Sequence, residues 1–270
     1  MATRKAFVLL GLACLLPAFA CHEKVLSARE GRILFAIREA YPYGQEGVEP
    51  SIFLDLETEK IYGCCNFSIE SAFRRIGNRL LVEIEGIYKP ELCLTAMGPA
   101  NSSRELVLEA GSYTLEISDG PLRSEFLVEV TDDALSVAAA APAHGLPLSG
   151  LAVPKFSSWW RYPRNSFVYL CGTTEELAWV NDDFLSRLRA AAGLREIEFP
   201  AQGELGYPRA PQGHHVDHPA RYFVYDDEGR FAAAGAALEA YVRDVIGQMS
   251  GTSIWLRDWK NRSYCSWMMN

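Results

Sequence analysis

Ala138-Ala139-Ala140-Ala141-Pro142-Ala143-His144-Gly145-Leu146-Pro147 is the stretch at which the chain changes its grammar. Four alanines followed by Pro, Gly and Pro carry neither the two-residue period of a strand nor the 3.6-residue period of a helix. Taken on to Pro154, the segment 138–154 reads as a linker. Residues 21–137 are then expected to form one domain and residues 155–270 another.

On the N-terminal side the text is that of an all-β domain. Ile33–Ile37, Ile52–Leu56, Leu80–Ile84, Leu106–Leu108, Tyr113–Ile117 and Phe126–Val130 are short runs of strand-forming residues. Turn residues such as Gly77-Asn78 and Asp119-Gly120-Pro121 separate them. This spacing predicts a β-sandwich. Ile61, Gly63, Cys65, Phe67 and Ile69 alternate with Tyr62, Cys64, Asn66 and Ser68. Such alternation turns Cys65 inward and Cys64 outward, which makes Cys64 the better candidate to bridge Cys93.

On the C-terminal side helices enter. Phe167–Leu170 predicts a strand, and Cys171-Gly172 ends it. Thr173 with Glu176 has the spacing of a capping box. Leu177, Val180, Phe184, Leu188 and Ala191 recur at helical spacing up to Gly193. Leu194–Phe199 and Arg221–Tyr225 predict strands, with a polar, proline-rich loop at 200–219 between them. A second helix carries Ala234, Leu238, Tyr241, Val245 and Met249. Ser253–Trp259 and Ser263–Trp267 predict a closing hairpin. The order fits a ferredoxin-like βαββαβ sandwich.

A second architecture comes by resemblance. Phe167-Val168-Tyr169-Leu170-Cys171-Gly172-Thr173-Thr174 before a helix, and His218-Pro219-Ala220-Arg221 before a strand and an Asp-x-x-Gly turn, resemble the thioredoxin-like family. The resemblance covers residues 165–247 and is given the preference. It implies a cysteine site at Cys171 with Pro219 as a cis-proline beside it. Thr174 stands where that family has its second cysteine. A thiol at a helix N-terminus would be acidic. The alternative is a structural cysteine, bridged to Cys265.

The chain's first 21 residues bear on its compartment. Arg4 and Lys5 precede the apolar run Ala6–Leu16, Pro17 breaks it, and Ala18-Phe19-Ala20-Cys21 follows. The run is too short to span a bilayer, and the layout is that of a signal peptide over residues 1–20. Ala18-Phe19-Ala20-Cys21 resembles the lipobox of bacterial lipoproteins, which implies lipid on Cys21 and a membrane-anchored envelope protein. His22, rather than Asp, implies the outer membrane. Ordinary secretion to the periplasm or medium is the alternative.

Of 270 residues, 49% are hydrophobic and 11% aromatic, ample for two cores. The net charge of −8 becomes −10 once Arg4 and Lys5 are removed, which argues against nucleic acid as a partner. Seven cysteines show no CxxC spacing, so a structural zinc site is not expected. His214, His215 and His218, grouped with Asp217, are the candidate metal ligands. The competing reading is a set of solvated loop residues. All six tryptophans follow the linker, and Trp159-Trp160-Arg161-Tyr162 could stack on a glycan or a protein. No cofactor is called for.

These features together predict an envelope lipoprotein that acts as a binding or structural module rather than an enzyme. The partner expected is an envelope protein or a glycan. The alternatives are a thiol-dependent redox protein or chaperone using Cys171, and a metal-binding protein using the 214–218 loop.

Overall fold

The structure, a computed structural model, describes residues 26–42, 45–140, 150–247 and 250–269. Cys21 and the expected signal segment lie outside the described residues. In the first half β1 (Leu26–Ser27), β2 (Ile33–Ala40), β3 (Ser51–Tyr62), β4 (Ser68–Ile76), β5 (Arg79–Tyr88) and β6 (Gly98–Leu106) follow one another. After them come β7 (Gly111–Asp119), β8 (Leu122–Val130) and β9 (Ala134–Ala139). Two-residue turns close β4 onto β5 and β7 onto β8, pairing Ile76 with Arg79 and Asp119 with Leu122. Gly77 and Gly120 sit in these turns at φ +59° and +55°, a region that favours glycine.

Alternation builds the core of this half. Ile52, Leu54, Leu56 and Thr58 of β3 are buried while the residues between them are half-exposed. The strands do not form the two sheets of a sandwich. They run as one mixed sheet in which β5 and β7 pair in parallel while most neighbours are antiparallel. The sheet curls on itself, so that Phe35 of β2 meets Phe126 of β8 with ring centroids 4.6 Å apart.

The same sheet continues past the expected linker. Ala138 and Ala139 belong to β9, and β10 (Ala152–Pro154) pairs in parallel with β2. Leu151 and Ala152 are buried in the first core. Residues 141–149 lie outside the described residues. β11 (Ser158–Trp160) pairs with β9 on one side and with β14 (Glu204–Leu205) on the other. Strand pairing therefore ties residues 152–160 and 204–205 to the N-terminal sheet.

The second sheet holds β12 (Ser166–Thr173), β13 (Leu194–Ile197), β16 (Arg221–Tyr225), β17 (Ser253–Asp258) and β18 (Ser263–Cys265), with β15 (Val216–Asp217) at one end of β12. Helices α1 (Trp179–Ala190) and α2 (Gly229–Tyr241) complete it. The spatial order is β13-β16-β12-β17-β18, every pair antiparallel. Chain order and spatial order together are those of a βαββαβ unit with one strand added. The thioredoxin-like order is not found, because β16 separates β12 from β13. Two further expectations are not met. No cis peptide bond occurs among the described residues, so the bond before Pro219 is trans. The capping box does not form either: the Thr173 hydroxyl turns to His218, and Thr174 caps a short 3-10 turn without a side-chain bond.

Both helices pack on one face of this sheet, where Val180, Phe184 and Leu188 of α1 meet Phe231, Leu238 and Tyr241 of α2. Phe184 and Tyr241 lie 4.9 Å apart between centroids. The loop around Tyr207 and the segment around Tyr162 cover the other face. Strand β12 is consequently buried at all eight positions. Burying a large apolar side chain contributes about 1.5–3 kcal/mol, so β12 is the centre of this half's stability.

Candidate functional site

The end of β12 gathers most of the chemistry-bearing residues named in the sequence. Cys171 lies within the strand, not at a helix N-terminus, because α1 begins only at Trp179. Strand parity places Cys171 on the helix-packed face with Phe167 and Tyr169. The thiol is buried, and burial pushes it up to about 11, only partly offset by the Tyr169 hydroxyl; the negative charge of Asp182 raises it further. Tyr169 in turn is held above its usual range by burial and donates to the Asn181 side chain at 3.2 Å. Such a thiol stays protonated at neutral pH and is a poor nucleophile.

The expected bridge to Cys265 is not formed. β17 lies between the two strands, pairing Cys171 with Ile254 and Trp255 with Cys265, and both cysteines are free and buried. Burial also raises the Cys265 thiol.

The segment just before Pro219 pairs with the end of β12. The N–H of His218 donates to the carbonyl of Cys171 at 3.1 Å, and β15 pairs Asp217 with Gly172. Gly172 allows this approach, because a Cβ there would fall inside the His214 ring.

The three histidines are not brought together as a metal site. His214 Nδ1 is 3.0 Å from Asp217 Oδ1, His218 Nε2 is 3.0 Å from the Thr173 hydroxyl, and His215 is exposed. No group of three or more His, Cys, Asp or Glu suited to a metal ion occurs among the described residues.

Cys64 and Cys93 stand at disulfide distance, with Cα atoms 5.4 Å apart. The inward and outward assignment is reversed, however: Cys64 is buried and Cys65 is half-exposed. The alternation fails because residues 63–67 form a turn between β3 and β4, and the β3 register already slips between Glu57 and Ile61.

Trp159-Trp160-Arg161-Tyr162 does not present a stacking platform. Trp160 Nε1 donates to the Gln202 carbonyl at 2.7 Å. Arg161 Nε donates to Glu39 Oε1 at 2.6 Å, and the Tyr162 N–H donates to Glu39 Oε2 at 2.9 Å. The Tyr162 ring packs 5.0 Å from Tyr41 and 4.7 Å from Tyr207. Tyr41 also donates to the Trp259 carbonyl at 2.9 Å, and the Gly47 N–H to the Lys260 carbonyl at 2.8 Å. These contacts form a seam between the halves that sequence reasoning missed. Its one visible signal was Glu39, a carboxylate in phase with inward-facing Ile33, Phe35 and Ile37, which needs a cation when buried. Burial holds the Glu39 carboxyl above its ordinary range, although the Tyr162 N–H and Arg161 both pull it down.

Several concave surfaces open to solvent among the described residues. A groove of about 350 Å³ runs between β2, β3, β6 and the segment after β10. Arg38, Asp55, Asn101, Ser103, Lys155 and Phe156 line it. Arg38 pairs with Asp55, and Lys155 Nζ lies 2.6 Å from Glu57. Among the described residues no helix is long and apolar enough to cross a membrane. No protein-family model, no curated protein and no solved structure matches this chain.

Proposed function

We propose that the protein is an exported, lipid-anchored envelope protein that works by binding and not by chemistry. The observation that carries the second half of this reading is the state of Cys171. It was the strongest nucleophile candidate, and it is buried inside β12 with its thiol pushed up to about 11. Disulfide exchange needs a thiolate to attack and, for turnover, a second thiol to release the mixed disulfide. Thr174 cannot serve as the second, and Cys265 is held beyond β17. The groove lined by Arg38, Asp55, Asn101 and Phe156 supports a polar partner, an envelope protein or a glycan, whose hydroxyls or amides would meet carboxylate, guanidinium and ring face together.

Lipid attachment at Cys21 rests on Arg4, Lys5, the apolar run and Ala18-Phe19-Ala20-Cys21 in register. Two measurements test the proposal. Purified oxidised protein is expected to show no turnover in an insulin-reduction assay, and turnover abolished by Cys171→Ala would sink the binding reading. Intact mass of membrane-extracted protein should carry a diacylglyceryl-sized addition that Cys21→Ser removes. An unmodified Cys21 in a soluble product would remove the anchor.

A further inference from the structure

Residues 91–97, between β5 and β6, are exposed at every position. Within this short loop Leu92 is 76%, Leu94 50% and Met97 78% exposed, and Ile61 at the end of β3 beside it is 57% exposed. From Leu92 to Met97 no residue carries a formal charge. Isolated exposed apolar residues need no explanation, but several on one projection mark a contact surface.

The loop is braced in this form. Cys93 is bridged to Cys64, the Asn66 amide donates to the Leu92 carbonyl at 2.7 Å, and the Leu94 N–H donates back to Asn66 Oδ1 at 3.2 Å. The backbone on both sides of Cys93 is thus held to the 63–67 turn while Leu92, Leu94 and Met97 remain in solvent. A braced loop loses little entropy when it inserts.

The direction of β1 says what meets this surface. β1 pairs antiparallel with β5, Leu26 opposite Tyr88 and Ser27 opposite Ile87. Gly86 lets it lie there, because a Cβ would stand 2.9 Å from the Ser27 carbonyl oxygen. β1 therefore begins at the end of the sheet where β5 runs into the 89–97 loop. Cys21 is five residues before Leu26, a reach of at most about 17 Å. That reach brings the candidate lipid anchor within range of the end of the molecule that carries the apolar loop.

We infer that Leu92, Leu94 and Met97 form a membrane-docking tip that enters the headgroup region of an uncharged lipid surface next to the Cys21 anchor. This rests on the anchor reading given above. The tip would act as a second membrane signal beside one lipidated residue, and it would set the protein upright with the β-sheet end against the bilayer. The protein's acidic balance fits a zwitterionic surface rather than an anionic one.

The test supplies its own anchor. A Cys21→Ser chain with a hexahistidine insert behind position 21 is exported, purified with its disulfide intact, and held on phosphatidylcholine vesicles by chelator lipid. Amide hydrogen exchange over residues 91–97 is compared with the same protein on soluble chelator. Exchange is expected to slow by about tenfold on vesicles. Leu92→Ser with Met97→Ser should abolish this slowing and leave the far-UV spectrum and Tm unchanged. No slowing on tethered vesicles would overturn the proposal, as would slowing that survives the two substitutions. Slowing without lipid that follows a concentration-dependent dimer would overturn it in favour of a second copy. An unmodified Cys21 in the native protein would instead remove the anchor, and the chelator-tethered result stands apart from it.

Discussion

Strands β3 and β12 hold their halves together in different ways. β3 alternates, with Ile52, Leu54, Leu56 and Thr58 inward and half-exposed residues between them. β12 is buried at all eight positions, between two helices on one face and the Tyr162 and Tyr207 segments on the other. A strand covered on both faces has nowhere to present a reactive group to solvent. A curled sheet with one wet face can carry grooves, ion pairs and exposed loops. The difference explains why the thiol of the second half is silenced while the open groove at β2, β3 and β6 and the exposed apolar loop both belong to the first.

The hardest test of this contrast is a matched pair of truncations. Phe167→Ala in β12 and Phe35→Ala in β2 remove side chains that are both fully buried. Each is expected to cost about 3–5 kcal/mol, read by denaturant unfolding. Because Glu39, Arg161, Tyr41 and Tyr162 join the halves, both losses should appear in one cooperative transition. Two resolved transitions would break the seam.

Next comes the bridge. Cys64→Ser with Cys93→Ser opens a link 29 residues long in sequence and should cost about 3 kcal/mol by loss of chain constraint. The loss should appear in the same cooperative transition, while local opening rises over residues 89–97 and amides of β12 still exchange only through global unfolding.

Arg161→Gln follows, at about 2 kcal/mol near neutral pH, because it leaves the Glu39 carboxylate buried without its cation. Glu39 is already held above the ordinary carboxyl value of 4.5 by burial. A raised acid keeps its proton in the folded state after the unfolded chain has lost it. Its stabilising contribution is therefore complete below the unfolded value and is lost as pH rises through the folded one. Removing Arg161 lifts that value further, so the deficit should be largest at pH 7 and shrink toward pH 4.5. A deficit that grows on acidification would refute the pairing.

The smallest effect concerns reactivity alone. With its thiol at about 11 instead of 9, Cys171 should alkylate about a hundredfold more slowly than an ordinary thiol at pH 8, before burial slows it further. Half-exposed Cys65 should react first, as mass spectrometry of iodoacetamide-treated native protein would show. Early modification of Cys171 would mean that β12 opens readily.

Much of the local structure could be read directly from the residues. Arg221–Tyr225 forms a strand over its whole predicted length, the helical repeat through Val180, Phe184 and Leu188 buries those residues, and the hairpin around Lys260-Asn261-Arg262 is present. Periodicity works there because one face is apolar and the other is wet. It failed at Cys64 and Cys65, where alternation was read across a turn. At the described ends of Ala138–Pro154 backbone pairing outweighs side-chain pattern, since Ala138 and Ala139 extend β9 and Ala152–Pro154 is held to β2.

By itself the sequence determined the β-rich first half, the mixed second half and the acidic net charge, because these follow from local pattern and composition. Only the tertiary structure decided the rest. The single curled sheet, the insertion of β16 between β12 and β13, the burial of Cys171 and the Glu39–Arg161 seam all depend on residues far apart in the chain. No local period records which strand becomes the neighbour of another, and a thiol's pKa is set by what the neighbour covers.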